Sequence, residues 1–285
     1  MTEHLQVGID IGGSKMLLLA LAEPLRMRIV GDRQIRDRIA TGKDFAAADV
    51  QAEIERFVRT LPTLPRSIGI AIPGLVDRHG VVIACDVLPE LVGWQPVRAL
   101  SSICSVYALN DAEAALLQVV ADLQPQKVIA VVMGTGIGAA IWINGTIFRG
   151  ASGWAGELGS MPMGDGRTLD ECASGAAILR ELGVSVEVLD GMVAGGEIVA
   201  LETIKQAGSA LGMGLATLIN LLNPDVIVLA GGTLRWRGYL EAAFQSAQKY
   251  SLPDLWAACQ MQTSPHGSDL VALGAARISG RIDRD

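Results

Sequence analysis

Closely spaced cysteines are missing from this 285-residue chain: its four, Cys85, Cys104, Cys172 and Cys259, form no CxxC pair and no cluster with histidine. That excludes reading a zinc module or a small disulfide scaffold from them and leaves reduced, separately buried thiols. Positive charge is also in deficit, with 23 Lys and Arg against 30 Asp and Glu, a net −7, and no basic block. Phosphate backbones are met by clustered cations, so no nucleic-acid partner is expected. Uninterrupted apolar runs of the ~18 residues needed by a membrane helix are absent. The longest candidate, 215–232, is broken by Asn220, Asn223, Pro224 and Asp225. The first residues lack a basic segment followed by an apolar core, so no signal peptide is read, and a cytoplasmic protein without a membrane partner is expected. Aromatics are few (5 Trp, 3 Tyr, 4 Phe), yet 50% of the chain is apolar. The composition is globular, and the length suits one large domain or two moderate ones; two are expected.

Between Gln6 and Ala22, two apolar runs flank Gly12-Gly13-Ser14-Lys15, which reads as a hairpin turning on glycines. A third strand is expected over Arg28–Arg36. A helix should then open at an Asp44 N-cap, with Phe45, Val50, Ile54, Phe57, Val58 and Leu61 on one side, and end at Pro62. Further strands are expected at Ser67–Ile72, Val81–Ala84 and Val106–Leu109, the last stopping at Asn110-Asp111 before a helix of good formers. The second half repeats this outline: strand Lys127–Met133, turn Gly134–Gly138, and a returning strand up to Asn144-Gly145. Residues 150–175 read mostly as loop, Glu197–Leu222 as a long helix, Asp225–Ala230 as a strand ending at Gly231-Gly232, and Leu270–Ile282 as a closing helix. In the long helix, Gly208, Gly212 and Gly214 each cost about 1 kcal/mol relative to alanine. Close approach of another backbone would account for them.

A strand, a tight glycine turn and a returning strand aim several N–H groups into one concave space, which suits phosphate. A single such turn also serves hairpin shape alone; two in the two halves favour phosphate. Asp10, directly before the first turn, needs a partner if buried. Mg²⁺, which prefers oxygen ligands and shares phosphates with the protein, would be one, and Lys15 is the other candidate. Asp111 follows Asn110 at a strand end, where it serves either as a helix cap or as a general base taking a hydroxyl proton during attack on a γ-phosphate. Glu157 stands among small residues in GWAGELGS with no adjacent cation, which suits a polar ligand or, more blandly, a solvated face.

Six blocks taken together, DIGGSK (10–15), IPGLVD (72–77), LNDAEAAL (109–116), MGTGIGAAI (133–141), GASGWAGELGS (150–160) and NPDVIVLAGG (223–232), resemble in order and spacing the ROK family (repressor, open reading frame, kinase). The resemblance covers almost the whole chain. It implies an α/β protein of the actin-like ATPase (ribonuclease H-like) fold, in two domains with a central cleft. These are expected at 1–109, joined by the C-terminal helix 270–285, and at 110–269. It implies an ATP- and Mg²⁺-dependent kinase moving the γ-phosphoryl to the 6-OH of glucose or an N-acetylhexosamine such as N-acetylmannosamine. The alternative is a non-catalytic sugar or nucleotide sensor. It also implies a homodimer.

Carried over by residue, the resemblance makes Gly12, Gly13, Ser14 and Lys15 the first phosphate segment, with Asp10 holding Mg²⁺ through water. Gly134, Thr135, Gly136 and Gly138 become the second, and Gly231 and Gly232 pass the adenosine. Asp111 becomes the catalytic base, while Asn110, Glu157, Asp170, Glu90 and Gly74 bind the sugar. The departures concern the sugar side. Ser160 stands where the family has a histidine that binds sugar and zinc, and the zinc cysteines are missing, so no structural zinc is expected. Asp170 replaces a glutamate. Glu90 stands where many members have an asparagine, and a carboxylate accepts but cannot donate. Repressors of the family carry a helix-turn-helix before DIGGTK, for which the residues ahead of Asp10 give no room.

Overall fold

The structure, a computed structural model, describes residues 5–22, 35–77, 79–124 and 127–278. The chain divides into two compact units, one formed by 1–124, 149–155 and 269–285 and the other by 125–148 and 156–268. The first carries β1 (Leu5–Ile11), β2 (Lys15–Ala22), β3 (Ile35–Ala40), α1 (Ala47–Thr60), β4 (Ser67–Ile72), β5 (Leu75–Val76), β6 (Val82–Ala84), α2 (Pro96–Ala99), β7 (Ser105–Asn110) and α3 (Asp111–Leu123). The second carries β8 (Lys127–Met133), β9 (Ile137–Ile143), β10 (Thr146–Ile147), α4 (Leu169–Ala173), α5 (Gly175–Leu182), α6 (Val186–Ala194), α7 (Ile198–Leu222), β11 (Val226–Ala230), α8 (Tyr239–Tyr250), α9 (Pro253–Ala258) and β12 (Gln260–Thr263). The chain then returns to the first unit as α10 (Leu270–Arg277).

The two sheets share one plan. Their strand orders are β3-β2-β1-β4-β7 and β10-β9-β8-β11-β12. In each, three antiparallel strands lie beside parallel ones: β1 pairs β4 and β4 pairs β7, while β8 pairs β11 and β11 pairs β12. Covered on both faces, β4 and β11 are buried along their length and largely apolar, whereas the edge strands β3 and β12 keep polar, exposed residues. Met16, Leu18 and Ala20 of β2 join Val50, Ile54 and Phe57 of α1 in one cluster. Leu17, Leu19 and Leu21 turn the other way onto Ala272 and Ala276 of α10. In the second unit, α7 supplies Ile204, Leu211, Leu215 and Ile219 to a core shared with Val131, Ile227 and Leu229.

Both glycine hairpins form as expected, and Asn144-Gly145 closes β9 to β10 with positive φ at both residues, 54° and 87°. Three boundaries moved. The first helix is capped at Ala46, not Asp44, because the Asp49 carboxylate accepts the Ala46 N–H at 2.9 Å from inside the first turn. The third strand runs to Ala40, and the part expected before residue 35 lies outside the described residues, as does the end of the closing helix after 278. The units divide after α3, at 124/125, not at 109/110, since α3 packs on α10; Arg277 Nε reaches Gln118 Oε1 at 2.6 Å. Gly208 and Gly212 do meet backbone, at the carbonyls of Tyr239 and Ala243 on α8, whereas Gly214 meets the Leu169 side chain.

Candidate active site

In the first unit, the loop between β1 and β2 is tied shut by the Gly12 N–H to the Lys15 carbonyl at 2.9 Å and by the Thr41 hydroxyl to the Gly12 carbonyl at 2.6 Å. The Gly13 and Ser14 N–H groups are left without an acceptor among the described residues, a two-amide nest able to take an anion. Lys15 is exposed at the start of β2. Asp10 lies at the end of β1 with its side chain largely enclosed. Burial first, and then the charge of Asp111, push its carboxyl up to about 7, against a smaller opposing effect of Lys15. No hydrogen bond joins Asp10 to Lys15 among the described residues, so the lysine acts on it through charge alone. An enclosed carboxylate short of compensation fits a hard divalent cation.

Asp111 opens α3, but the cap is Asn110, whose Oδ1 accepts the Ala112 N–H at 2.8 Å. Asp111 Oδ1 accepts the same N–H at 2.7 Å, leaving Oδ2 without a hydrogen bond among the described residues. Burial lifts its carboxyl to about 6 despite that bond. The Asn110 Nδ2 donates to the Gly74 carbonyl at 2.8 Å, so both polar groups of this side chain already hold the local backbone, with one valence left on each. Gly74 has φ +113°, and a Cβ there would strike the Ala84 carbonyl, so only glycine fits the bend that brings its carbonyl to Asn110. Glu90 projects from an exposed 3-10 turn at Pro89–Leu91 and has no hydrogen bond among the described residues. The same loop lays Val87, unnoticed in the sequence, against Gly13, 3.2 Å from where a Cβ would stand.

In the second unit, the β8–β9 turn repeats this arrangement. Gly134 N–H donates to the Gly136 carbonyl at 2.9 Å, and the Thr135 and Gly136 N–H groups find no acceptor among the described residues. Gly138 lies in β9, paired with Val132, and is not part of the turn. Asp170, in the first turn of α4, accepts the Ile137 N–H at 2.6 Å and lies against Gly136 and Gly159. Its carboxyl is raised by burial and lowered by that bond. Asp170 therefore holds the turn to the 158–160 segment, a contact the sequence does not announce. Glu157 is exposed at the head of that segment, which Gly156 fastens to β9 through its carbonyl and the Ala139 N–H at 2.9 Å.

Behind the turn, the Gly134 carbonyl accepts the Gly175 N–H at 2.8 Å and the Thr233 hydroxyl at 3.4 Å. Gly231 has φ +120° and no room for a Cβ beside the Met133 carbonyl, which lets the chain after β11 pass the turn closely. These pieces enclose a cavity of about 200 Å³ lined by Gly134, Thr135, Gly232 and Thr233, together with Ala176, Leu179 and Val186 of α5 and α6, and Arg235 and Trp236. The segment 161–169 closes on itself through Leu169 N–H to the Met161 carbonyl at 2.8 Å, Arg167 to Asp165 at 2.6 Å, and the Thr168–Glu171 capping box. Only Cys172 offers a thiolate there, a donor set that does not fit structural zinc.

Two units built on the same five-stranded plan, each turning its first hairpin on glycines that leave amides free, define the actin-like ATPase (ribonuclease H-like) fold. The chain belongs to the ROK family, whose model matches residues 6–281. It is 26% identical to an N-acetylgalactosamine kinase of Shewanella sp. strain ANA-3, over 97% of each chain. It is equally 26% identical to the xylose repressor of Bacillus subtilis, over 95% of this chain and 76% of the repressor. Among solved structures, the ROK hexokinase of Thermus thermophilus matches with a TM-score of 0.76 at 28% identity, over 95% of this chain and 96% of that one. No helix of the described residues is long and apolar enough to cross a membrane.

Proposed function

We propose that the protein is an ATP-dependent hexose kinase that transfers the γ-phosphoryl group to the 6-OH of glucose or an N-acetylhexosamine. The observation that carries this reading is Asp111. It is a carboxylate with one oxygen uncommitted, raised to about 6 and set beside a second enclosed acid in the unit that holds the first amide nest. A base of that pKa is ionised at neutral pH yet basic enough to take a proton as the hydroxyl attacks. Named kinases among the relatives support the same class.

In this mechanism Asn110 and the Gly74 loop fix the acceptor sugar near Asp111, Glu157 accepts from its hydroxyls, and Glu90 stands at the rim. The nests at Gly13-Ser14 and Thr135-Gly136 receive phosphate oxygens, with Lys15 adding a positive charge near the first. Through water, Asp10 would hold Mg²⁺, which would supply positive charge against the negative charge of the phosphoryl group in transfer. Asp111 takes the hydroxyl proton on Oδ2 as the new O–P bond forms and the bond to ADP breaks. Most of the rate comes from positioning.

Turnover should rise with pH. Asp111 must be ionised, so kcat/KM climbs between pH 5 and 8 with its midpoint near the shared titration of the acid pair, about 6 to 7. A profile flat across that range would remove Asp111 as base. Asp170 is expected to act on the turn more than on the sugar. Asp170→Ala should raise the nucleotide KM by about tenfold, the loss of a charged hydrogen bond, with the sugar KM unchanged. Asp170→Asn, which keeps an acceptor for Ile137, should stay near wild type. A rise confined to the sugar KM would return Asp170 to the sugar site.

The test of the class is ADP release from Mg·ATP against glucose, mannose, fructose, N-acetylglucosamine, N-acetylmannosamine and N-acetylgalactosamine. One sugar far above the rest is expected. A second reading, a sugar sensor without turnover, draws support from the xylose repressor and from the Asn110 and Asp170 side chains already engaged with backbone. Silence across the panel with a sugar-dependent rise in Tm would favour it.

A further inference from the structure

The cavity behind the second glycine turn has a floor that neither motif nor kinase reading assigns. Arg235 is half exposed, with Nε and Nη2 each 3.2 Å from Asp190. Its guanidinium lies over the Trp236 ring, 5.3 Å from the centroid, and Trp236 Nε1 donates to Asp190 at 2.9 Å. Trp236 itself is buried, 5% exposed. The cation is thus braced by the indole on one side and by a carboxylate along its Nε–Nη2 edge, with Nη1 4.0 Å from where a Gly232 Cβ would stand. The remaining walls away from the turn are Ala176, Leu179 and Val186.

The geometry points to Arg235, braced by Asp190 and Trp236, as the platform on which the base of the nucleotide lies, in a site that takes purine triphosphates by their faces and chooses weakly between adenine and guanine. This rests on the kinase reading for the identity of the ligand. The selectivity follows from what the side chains have left to offer. The Trp236 N–H is taken by Asp190 and the Thr233 hydroxyl is directed at the Gly134 carbonyl. A guanidinium stacked on the ring meets only its π face, which both purines present alike. Adenine and guanine differ at N1, C2 and C6, and the walls away from the turn, Ala176, Leu179 and Val186, carry no polar side chain to read those atoms. A pocket of that kind rejects a similar ring only weakly. Guanidinium planes stack on π-systems, which an ammonium cannot imitate.

The experiment compares ATP and GTP as donors with the best sugar of the panel, in wild type, Arg235→Ala and Arg235→Lys. Expected are kcat/KM values for the two nucleotides within about tenfold. Both variants should raise the KM of each nucleotide by about tenfold while leaving the sugar KM unchanged. Rescue by lysine would overturn the platform, since charge alone, acting on phosphate, would then explain the residue. Discrimination against GTP beyond about a hundredfold would overturn the weak choice, because an edge would then be read. Should no sugar be turned over, calorimetry with ADP and GDP separates the two claims. Similar affinities that fall in both variants would uphold the platform while the kinase reading fails, and absence of nucleotide binding would overturn both.

Discussion

Asp111→Ala is expected to lower kcat by about 10²–10⁴, the range a positioned general base contributes, while sugar and nucleotide still bind. Folding should survive, because the α3 cap is Asn110, and the Ala112 N–H keeps that acceptor at 2.8 Å when Asp111 is gone. Asp111→Asn should be as inactive as alanine, since the amide holds the shape and the hydrogen bond but cannot take the proton. Steady-state rates combined with calorimetric sugar affinity check both variants. Loss of sugar binding in parallel with turnover would instead make Asp111 a binding residue.

Asp10→Asn should trade activity for stability. The folded protein holds the Asp10 carboxyl at about 7 against an ordinary 3.8, so without ligands its charged form is disfavoured by folding. At about 1.4 kcal/mol per pH unit, this penalty is on the order of 4 kcal/mol. Its sign follows from linkage. The folded state binds the proton more tightly than the unfolded one, so the penalty is fully present above pH 7, shrinks as pH falls through that value, and vanishes near pH 4. The ligand-free Asn variant should therefore melt higher than wild type at pH 8 and alike at pH 4. With its cation ligand lost, turnover should fall by about two orders of magnitude or more. Equal Tm values at pH 8 would mean that Asp10 is not held as an uncompensated acid.

Much of this was legible in the sequence where the signal is local. Gly12-Gly13 and Gly134–Gly136 mark their hairpins as glycine breaks between apolar runs, although none of these glycines takes a positive φ. Asn110-Asp111 is legible because a strand end followed by helix formers fixes where the two side chains must stand. What the sequence left unread arises from contacts between distant segments. Thr41 closes the first turn from 29 residues away, and Asp190 clamps Arg235 from 45 residues away. Asp170 aligns with a sugar ligand by motif, yet its short side chain finds the Ile137 N–H, a partner visible only once α4 is seated. The helices α5 and α6, which wall the cavity, lie beyond the 150–175 stretch read mostly as loop, in a segment to which the sequence reading assigns no element. Ser174 and Ser185 cap them, accepting the N–H groups of Ala177 and Val188.

The central claim is transfer of a phosphoryl group to a sugar hydroxyl, and ³¹P NMR of Mg·ATP with the best panel sugar tests it most directly. The account predicts a new phosphomonoester resonance on the sugar, growing in step with ADP and absent with Asp111→Ala. ADP accompanied only by inorganic phosphate, or an unchanged ATP spectrum with the sugar demonstrably bound, would contradict it.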